Sequence, residues 1–281
     1  MRARLCKYRR LILITSICIL IFITLGFMAG QRLNVHTEQI DLGLPTHIKL
    51  AVLADFHIDT GENIAISRQA LAEAMRQQPD AILLVGDYAN SETGIKLLPD
   101  LFKGIKAPLG VYAVRGNHDH KAGIDRTQQA LESVGVKLLV AQNVLLQKGQ
   151  TKLALAGIDD FWHFTGRAEW EQTYKDFPKD TPLILLSHNP DAVLSSQGQR
   201  AKLVISGHTH AGHANLPYAI RKAVGYTIGQ QFPSMTEYGM LHPCGLMHER
   251  WGWVYITSGV EAGYLPPRWY TRPEVAVLEL R

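Results

Sequence analysis

The chain has 281 residues, of which 46% are hydrophobic, so it is long enough to bury a sizeable core, and we expect one folded domain. The formal net charge of +4 is concentrated at the N-terminus, where five of the first ten residues are basic, and the nearly neutral remainder offers no basic patch for nucleic acid. The three cysteines are scattered, which excludes a disulfide framework and a thiolate metal site.

An uncharged apolar run, residues 11–30, follows the basic flank at residues 1–10. Its length is about the ~20 residues that a helix needs to cross the hydrocarbon core of a bilayer, and we predict a transmembrane anchor. The alternative is a cleaved signal peptide, whose apolar part is typically only ~7 to 15 residues and ends in small residues. Arg9-Arg10 also resembles a twin-arginine export signal, although the run is very hydrophobic for that pathway.

The basic flank also predicts an orientation. Because the basic residues precede the apolar run, the positive-inside rule keeps the N-terminus in the cytoplasm and puts the large domain on the other side of the membrane. The polar residues 31–46 have no clear period and are interpreted as a linker, either a tether or an edge strand. We expect the globular domain to occupy residues 47–281.

From residue 47 onward, short β-rich runs alternate with helical patterns. Strands are predicted at 48–54, 81–85, 110–114, 152–157, 183–187, 203–206, 253–257 and 275–280. Helices are predicted near 65–77, 94–102 and 168–175. This alternation of continuous apolar strands with polar-faced helices is typical of an α/β layered fold. Residues 211–251, rich in Gly, Pro, His and aromatic residues, are predicted to form long loops near a functional site.

The polar residues with chemical potential come just after predicted strands, where an α/β sheet builds its ligand site. They are Asp55 and His57 after the first strand, Asp87 after the second, Asn117, His118 and Asp119 after the third, His188 after the fifth, and His208 and His210 after the sixth. Residues at i and i+2 of an extended strand end point the same way and can share a metal. Three carboxylates, one amide and five imidazoles are therefore expected at one edge of the fold.

This donor set predicts a metal site. Oxygen and nitrogen ligands without thiolate favour Mn, Fe, Zn or Co over Ca, which takes oxygen ligands, and over structural zinc, which usually includes cysteine. Two divalent ions fit better than one, because seven ligands exceed one tetrahedral shell and a carboxylate such as Asp87 can bridge.

Five sequence blocks resemble, in order and spacing, those of the calcineurin-like metallophosphoesterases. The blocks are Asp55-Phe56-His57, Gly86-Asp87, Gly116-Asn117-His118-Asp119, Ser187-His188 and Gly207-His208-Thr209-His210. They span residues 55–210, so the resemblance covers most of the expected domain. It is closest to a membrane-tethered bacterial branch that includes lipid-precursor pyrophosphatases. Two departures, Ala211 where relatives have glycine and His213 where they often have glutamine, concern substrate preference rather than metal binding.

The resemblance implies a four-layer α/β/β/α sandwich, preceded here by the transmembrane helix. It implies that Asp55, His57 and His210 hold one metal, that Asn117, His188 and His208 hold a second, and that Asp87 bridges both. By the same resemblance, His118 stabilises or protonates the leaving oxygen and Asp119 orients it. His120 and His213 are interpreted as residues outside the ligand shell.

The motifs and the resemblance predict that the protein is a phosphohydrolase. Such an enzyme cleaves a phosphodiester or pyrophosphate bond with a water molecule activated by two metals. The anchor favours a membrane-bound, lipid-linked substrate and a single-pass protein of the bacterial inner membrane. One alternative is a pyrophosphatase of the UDP-2,3-diacylglucosamine type, which in the resembling branch acts on the cytoplasmic side, against the predicted orientation. An alternative of another class is an inactive metal-binding anchor protein. Intact His118 and intact ligands argue against it.

Overall fold

The structure, a computed structural model, describes the chain except for residues 1, 60, 62, 164–165, 177–179, 213–235, 263–267 and 270. The N-terminal apolar run forms one helix, α1 (Arg2–Gly30). Within it, Leu11–Gly30 has a mean hydropathy of 2.8, and its large apolar side chains are exposed. The helix therefore has the length and composition of a membrane span or of a signal sequence.

The remaining described residues contain two six-stranded sheets. The first contains β1 (Asn34–Ile40), β2 (Ile48–Leu53), β3 (Ala81–Val85), β4 (Val111–Val114), β5 (Lys137–Leu138) and β12 (Glu274–Leu280). The second contains β6 (Gln142–Lys148), β7 (Thr151–Gly157), β8 (Leu183–Leu186), β9 (Leu203–Ser206), β10 (Gly245–Glu249) and β11 (Gly252–Ile256). Their strand orders are β1-β12-β2-β3-β4-β5 and β10-β11-β9-β8-β7-β6.

The central strands of both sheets run parallel, from β2 to β5 in the first sheet and through β7, β8, β9 and β11 in the second. Antiparallel partners lie toward the edges, where β12 pairs with β2, β6 with β7, and β10 with β11. Parallel strands end at the same side of a sheet, so the loops that follow β2, β3 and β4 lie together, as do those that follow β8 and β9.

The two sheets pack face to face, and helices cover their outer faces. Alternate residues of β2 show the division, because Leu50 and Val52 belong to the core between the sheets, whereas Ala51 and Leu53 belong to the core under the helices. Both faces are buried, which explains why the central strands are continuous apolar runs. The helices on the first sheet are α2 (Ile64–Arg76), α3 (Glu92–Leu101) and α4 (Asn117–Glu132). The short helices α5 (Arg167–Thr173) and α6 (Glu237–Leu241) contribute buried aromatic side chains to the outer core of the second.

This architecture confirms the predicted mixed α/β fold with two sheets, and every predicted strand and helix is found within one or two residues. Residues 31–46 were expected to form a tether or an edge strand. Some of them form β1, which pairs in parallel with β12 at the edge of the first sheet. Part of the expected linker thus belongs to the first sheet. Five of the helices and strands named above were not predicted, namely α4, α6, β5, β6 and β10. Of these, α6 and β10 lie within 211–251, which was expected to form loops, and residues 213–235 of that range, with His213, lie outside the described residues.

Candidate metal centre

The predicted site residues lie in the loops that follow five parallel strands. Asp55 and His57 follow β2, Asp87 follows β3, Asn117, His118 and Asp119 open α4 after β4, His188 follows β8, and His208 and His210 follow β9. The first three loops belong to one sheet and the last two to the other, so the site is built where the two sheets face each other. All seven predicted ligands are buried.

Asp55, His57 and His210 form the first group of donor atoms. The Nε2 atoms of His57 and His210 are 3.1 Å apart. Oδ1 of Asp55 is 3.5 Å from Nε2 of His210 and 3.9 Å from Nε2 of His57. Three donor atoms this close, drawn from loops of both sheets, could hold one cation.

Asp87, His188 and His208 form the second group. Nε2 of His188 lies 3.2 Å from Nδ1 of His208 and 3.2 Å from Oδ2 of Asp87. The same Asp87 oxygen is 3.5 Å from Nε2 of His57, so it faces both groups. Oδ1 of Asn117 is buried and has no hydrogen-bond partner among the residues that the structure describes, which leaves this oxygen available to a cation.

The hydrogen bonds of His57 and His210 show that the first group suits a cation. Nδ1 of His57 faces Oδ1 of Asn90 at 2.8 Å, and Nδ1 of His210 faces a carboxylate oxygen of Glu261 at 3.0 Å. Because both partners are acceptors, each Nδ1 carries a proton, and the Nε2 atoms of the two rings face each other. At 3.1 Å these two atoms can share a proton in a hydrogen bond or hold a metal ion between them.

The backbone of the site is held in an uncommon conformation. Five of the seven predicted ligands have positive φ angles between 47° and 71°, namely Asp55, His57, Asp87, His208 and His210. Such angles cost of order 1 kcal/mol or more each for a residue with a Cβ atom, and they persist where the surroundings enforce them. Glycines beside these residues allow the close approach: a Cβ at Gly116 would lie 2.2 Å from Oδ1 of Asp87.

His118 lies at the edge of both groups. Its ring is 4.6 Å from that of His57 in an edge-to-face arrangement, and its backbone N–H donates to Oδ1 of Asp87 at 2.8 Å. Asp119, which the resemblance assigns to orienting His118, lies against the ligand loops. Its carboxylate accepts backbone N–H groups of Asp87, Tyr88 and Gly116 at 2.8 to 3.0 Å, and these bonds shape the loops.

The protonation of the imidazoles follows from their burial and neighbours. Burial lowers the pKa of His57 and of His208, which keeps both rings neutral, as metal ligation requires. Burial also lowers the pKa of His118 to about 4. For His188, burial opposes the charged form but the Asp87 carboxylate prevails and raises the pKa to about 10. A proton thus takes the place between Asp87 and His188 when no cation is bound.

Two functional partners were not predicted from the sequence, Asn90 and Glu261. Asn90 follows the Gly86-Asp87 block closely, but no feature of the sequence distinguishes it from an ordinary polar loop residue. Glu261 lies 51 residues beyond its partner His210. It is fully buried together with Arg268, whose guanidinium is 3.5 Å from the Glu261 carboxylate. The sequence does carry one signal for Glu261. It is a charged residue in the run Ser258-Gly259-Val260-Glu261, which directly follows a strand.

Known proteins resemble this chain over the part that contains the site. A family model described as calcineurin-like phosphoesterase matches residues 48–212, more than half of the chain, and the match includes every predicted site residue. The chain is 27% identical over 239 residues to phosphodiesterase YaeI of Escherichia coli (strain K12), covering 83% of this chain and 82% of that protein. It is 29% identical over 219 residues to the uncharacterized metallophosphoesterase YkoQ of Bacillus subtilis (strain 168), covering 73% and 79%.

Two further similarities are to another relative and to a solved structure. A Danio rerio protein named transmembrane protein with metallophosphoesterase domain is 26% identical over 249 residues, covering 83% of this chain and 53% of that protein. The crystal structure of TT1561 from Thermus thermophilus superposes with a TM-score of 0.50 at 13% identity, covering 78% of this chain and 92% of that one. At that identity, the superposition supports the fold alone.

Proposed function

The chain belongs to the calcineurin-like phosphoesterase family, and from this membership we propose that it cleaves a phosphodiester or a pyrophosphate bond at the surface of a membrane. Membership makes it a metal-dependent hydrolase of phosphoric esters. The observation that carries the finer proposal is the meeting of two buried groups of donor atoms at the Asp87 carboxylate. Two cation sites that share one oxygen ligand lie close enough together to bind the same phosphoryl group.

Each donor group is assigned one divalent cation. Asp55, His57 and His210 hold the first, and Asn117, His188 and His208 hold the second, with Asp87 between them. This mixed nitrogen and oxygen set suits Mn, Fe, Zn or Co. When bound, such ions supply charge neutralisation for the phosphoryl oxygens and a water that is nucleophilic at neutral pH.

His118 contacts the leaving oxygen of the substrate. Burial lowers its pKa to about 4, so its ring is neutral at pH 7 and carries one N–H donor. A hydrogen bond from this donor strengthens as charge develops on the departing oxygen, which stabilises the transition state more than the bound ester. Asp119 supports the site indirectly, because its bonds to the amides of Asp87 and Gly116 fix two ligand loops relative to each other.

Helix α1 is assigned as an uncleaved, single-pass anchor in the bacterial inner membrane, with the catalytic domain on the non-cytoplasmic side. The basic flank at residues 1–10 and the exposed apolar surface of Leu11–Gly30 support this assignment. A lipid-linked phosphate ester is the substrate class that fits such an anchor. Protease treatment of intact spheroplasts tests the orientation, since a domain that is degraded only after lysis lies on the cytoplasmic side.

The hydrolysis is tested with His118→Ala. Bis-p-nitrophenyl phosphate with Mn²⁺ is the substrate, and kcat of the variant is expected to fall about 10²- to 10⁴-fold, the usual contribution of a general acid or base. Bound Mn²⁺ should stay at the wild-type level. The matched control is His248→Ala, because His248 stacks on Trp253 in the β10–β11 hairpin, away from the ligand loops. Equal rates for wild type and His118→Ala would support the inactive anchor protein instead.

A further inference from the structure

One face of helix α1 packs against the folded domain near the end of the helix. The ring of Phe22 meets the indole of Trp269 edge to face, with centroids 5.0 Å apart. One turn later Gly26 is buried, and a Cβ atom there would lie 2.0 Å from Nε1 of Trp269. After another turn Gly30 is buried, and its Cβ would lie 2.4 Å from the carbonyl oxygen of Arg268. These positions are four residues apart and share one face of the helix.

The connection between this helix and the sheet is too short to let the domain move away. Three residues, 31–33, separate Gly30 from the start of β1 at Asn34, and a connection of that length spans at most about 14 Å. The side-chain amide of Gln31 also donates to the carbonyl of Ala262 at 3.2 Å. The domain is therefore held at the end of the helix in two ways. The connection is short, and contacts with the domain are made both by the helix and by the connection itself.

The contact with Phe22 sets the depth of the domain. Gly30 comes eight positions after Phe22, which corresponds to about 12 Å along a helix. Trp269 consequently lies beside the apolar segment, below the level at which the helix ends. Tryptophan is enriched at the boundary between acyl chains and headgroups because its ring is apolar and its N–H is polar, which suits a position beside the last turns of a membrane helix.

Few side chains separate this contact from the metal centre. Arg268 touches Gly30 through its backbone, and its buried guanidinium donates to the carbonyls of Glu261 and Ser258, both at 2.6 Å. The carboxylate of Glu261 in turn accepts from Nδ1 of His210 at 3.0 Å. Two side chains thus lie between the helix and a proposed metal ligand, so the metal centre is close to the membrane surface.

We propose that α1 is a permanent part of the folded protein and that its docking on Arg268 and Trp269 holds the metal centre at the depth of lipid headgroups. The substrate class that follows is a phosphodiester of an amphiphile that stays in the bilayer during hydrolysis. This inference rests on the proposed function and adds to it the source of the substrate and the role of the helix. A leader that is removed would leave Trp269 without the surface on which it packs.

The test uses full-length protein in phospholipid vesicles and two chromogenic diesters. One is water-soluble bis-p-nitrophenyl phosphate, and the other is a phosphatidyl ester of p-nitrophenol embedded in the vesicles. Gly26→Leu is expected to lower the rate on the embedded ester at least tenfold and to change the rate on the soluble ester less than twofold. The control Met28→Leu alters a side chain on the exposed face and should change neither rate.

The outcomes separate the two proposals. If the wild type hydrolyses the soluble ester but not the embedded one, or if Gly26→Leu hydrolyses both like the wild type, the docking inference is wrong and the proposed function stands. If the wild type hydrolyses neither ester with Mn²⁺, the proposed function fails first.

A measurement without catalysis provides a second check. Lipids that carry a nitroxide near the headgroup are expected to quench part of the tryptophan emission of the vesicle-bound protein. That part should decrease in Trp269→Phe, leaving the share of Trp162 beside His208, and persist undiminished in Trp170→Phe, which removes a buried indole from the outer core of the second sheet. Quenching that is unchanged in Trp269→Phe, or a purified protein whose intact mass lacks residues 1–30, would overturn the inference.

Discussion

The imidazoles of His57 and His210 are each held by one side chain outside the ligand groups. Asn90 accepts from Nδ1 of His57, and Glu261 accepts from Nδ1 of His210. Partners of this kind fix the tautomer and the orientation of a ligand ring, so that the lone pair of Nε2 points at the cation. The affinity for metal should therefore depend on residues that do not touch the metal.

We expect Asn90→Ala to weaken Mn²⁺ binding about 10- to 100-fold, the usual effect of removing such a partner. The reason is that His57 would lose the acceptor that keeps its proton on Nδ1. Calorimetric titration of the metal-free domain with Mn²⁺ measures the change. The matched control is Asn143→Ala, which removes an amide bonded to the carbonyls of Thr173 and Lys175 and not to any proposed metal ligand. Equal affinities for the two variants would show that Asn90 has no part in metal binding.

At the scale of elements, the turn after β3 illustrates how tightly the ligand loops pack. Gly86 has φ +82°, and a Cβ there would lie 2.6 Å from Nδ1 of His188 and 2.9 Å from Cα of Gly116. Three ligand loops, those after β3, β4 and β8, meet at this glycine. A side chain at this position would have to separate them.

Gly86→Ala is accordingly expected to destabilise the fold by about 1 to 3 kcal/mol and to reduce bound metal, because the new methyl group displaces the ring of His188. Thermal unfolding and metal analysis measure both effects. Gly104→Ala is the matched control: Gly104 has φ +81°, but its Cβ would meet no atom within 4 Å, so only the backbone cost of about 1 kcal/mol or less remains. Identical melting temperatures for the two variants would contradict the packing argument.

The predictability of the elements depended on how much apolar surface each one buries. The central strands β2, β3, β8 and β9 are buried on both faces, and their continuous apolar runs were predicted with nearly correct ends. The edge strands β6 and β10 are half exposed and lack that signal. Helix α4 begins in the polar block around Asn117 and is interrupted at Gly123, with φ 132°, which hid its helical period.

At the scale of the whole molecule, the metal centre joins loops of both sheets, so bound cations should stabilise the fold as a unit. In their absence, the strained backbone of the ligand loops is not compensated by bonds to a cation. The residues of the ligand set could be predicted from the sequence because each follows a strand directly. The support of these residues by Glu261 and Arg268 could not be predicted, because it depends on the tertiary position of a distant loop.

Removal of metal by EDTA should lower the melting temperature by roughly 5 to 10 °C, since a ligand at 100 times its Kd contributes about 2.7 kcal/mol and each kcal/mol shifts a domain of this size by about 2 to 4 °C. Scanning calorimetry with and without Mn²⁺ measures the shift. His118→Ala should keep the full shift, whereas Asp87→Asn, which weakens both groups, should lose most of it. A wild-type melting temperature that changes with neither Mn²⁺ nor EDTA would argue against bound cations.

The strand order of the first sheet has a consequence for biogenesis. β12, made of nearly the last residues of the chain, lies between β1 and β2, which are among the first residues after the helix. β1 and β2 therefore cannot complete their pairing until β12 has been synthesised. If the domain crosses the membrane through a translocation channel, this delay keeps its N-terminal half unfolded and thus able to pass. β12 then closes the first sheet only after it has itself emerged from the channel.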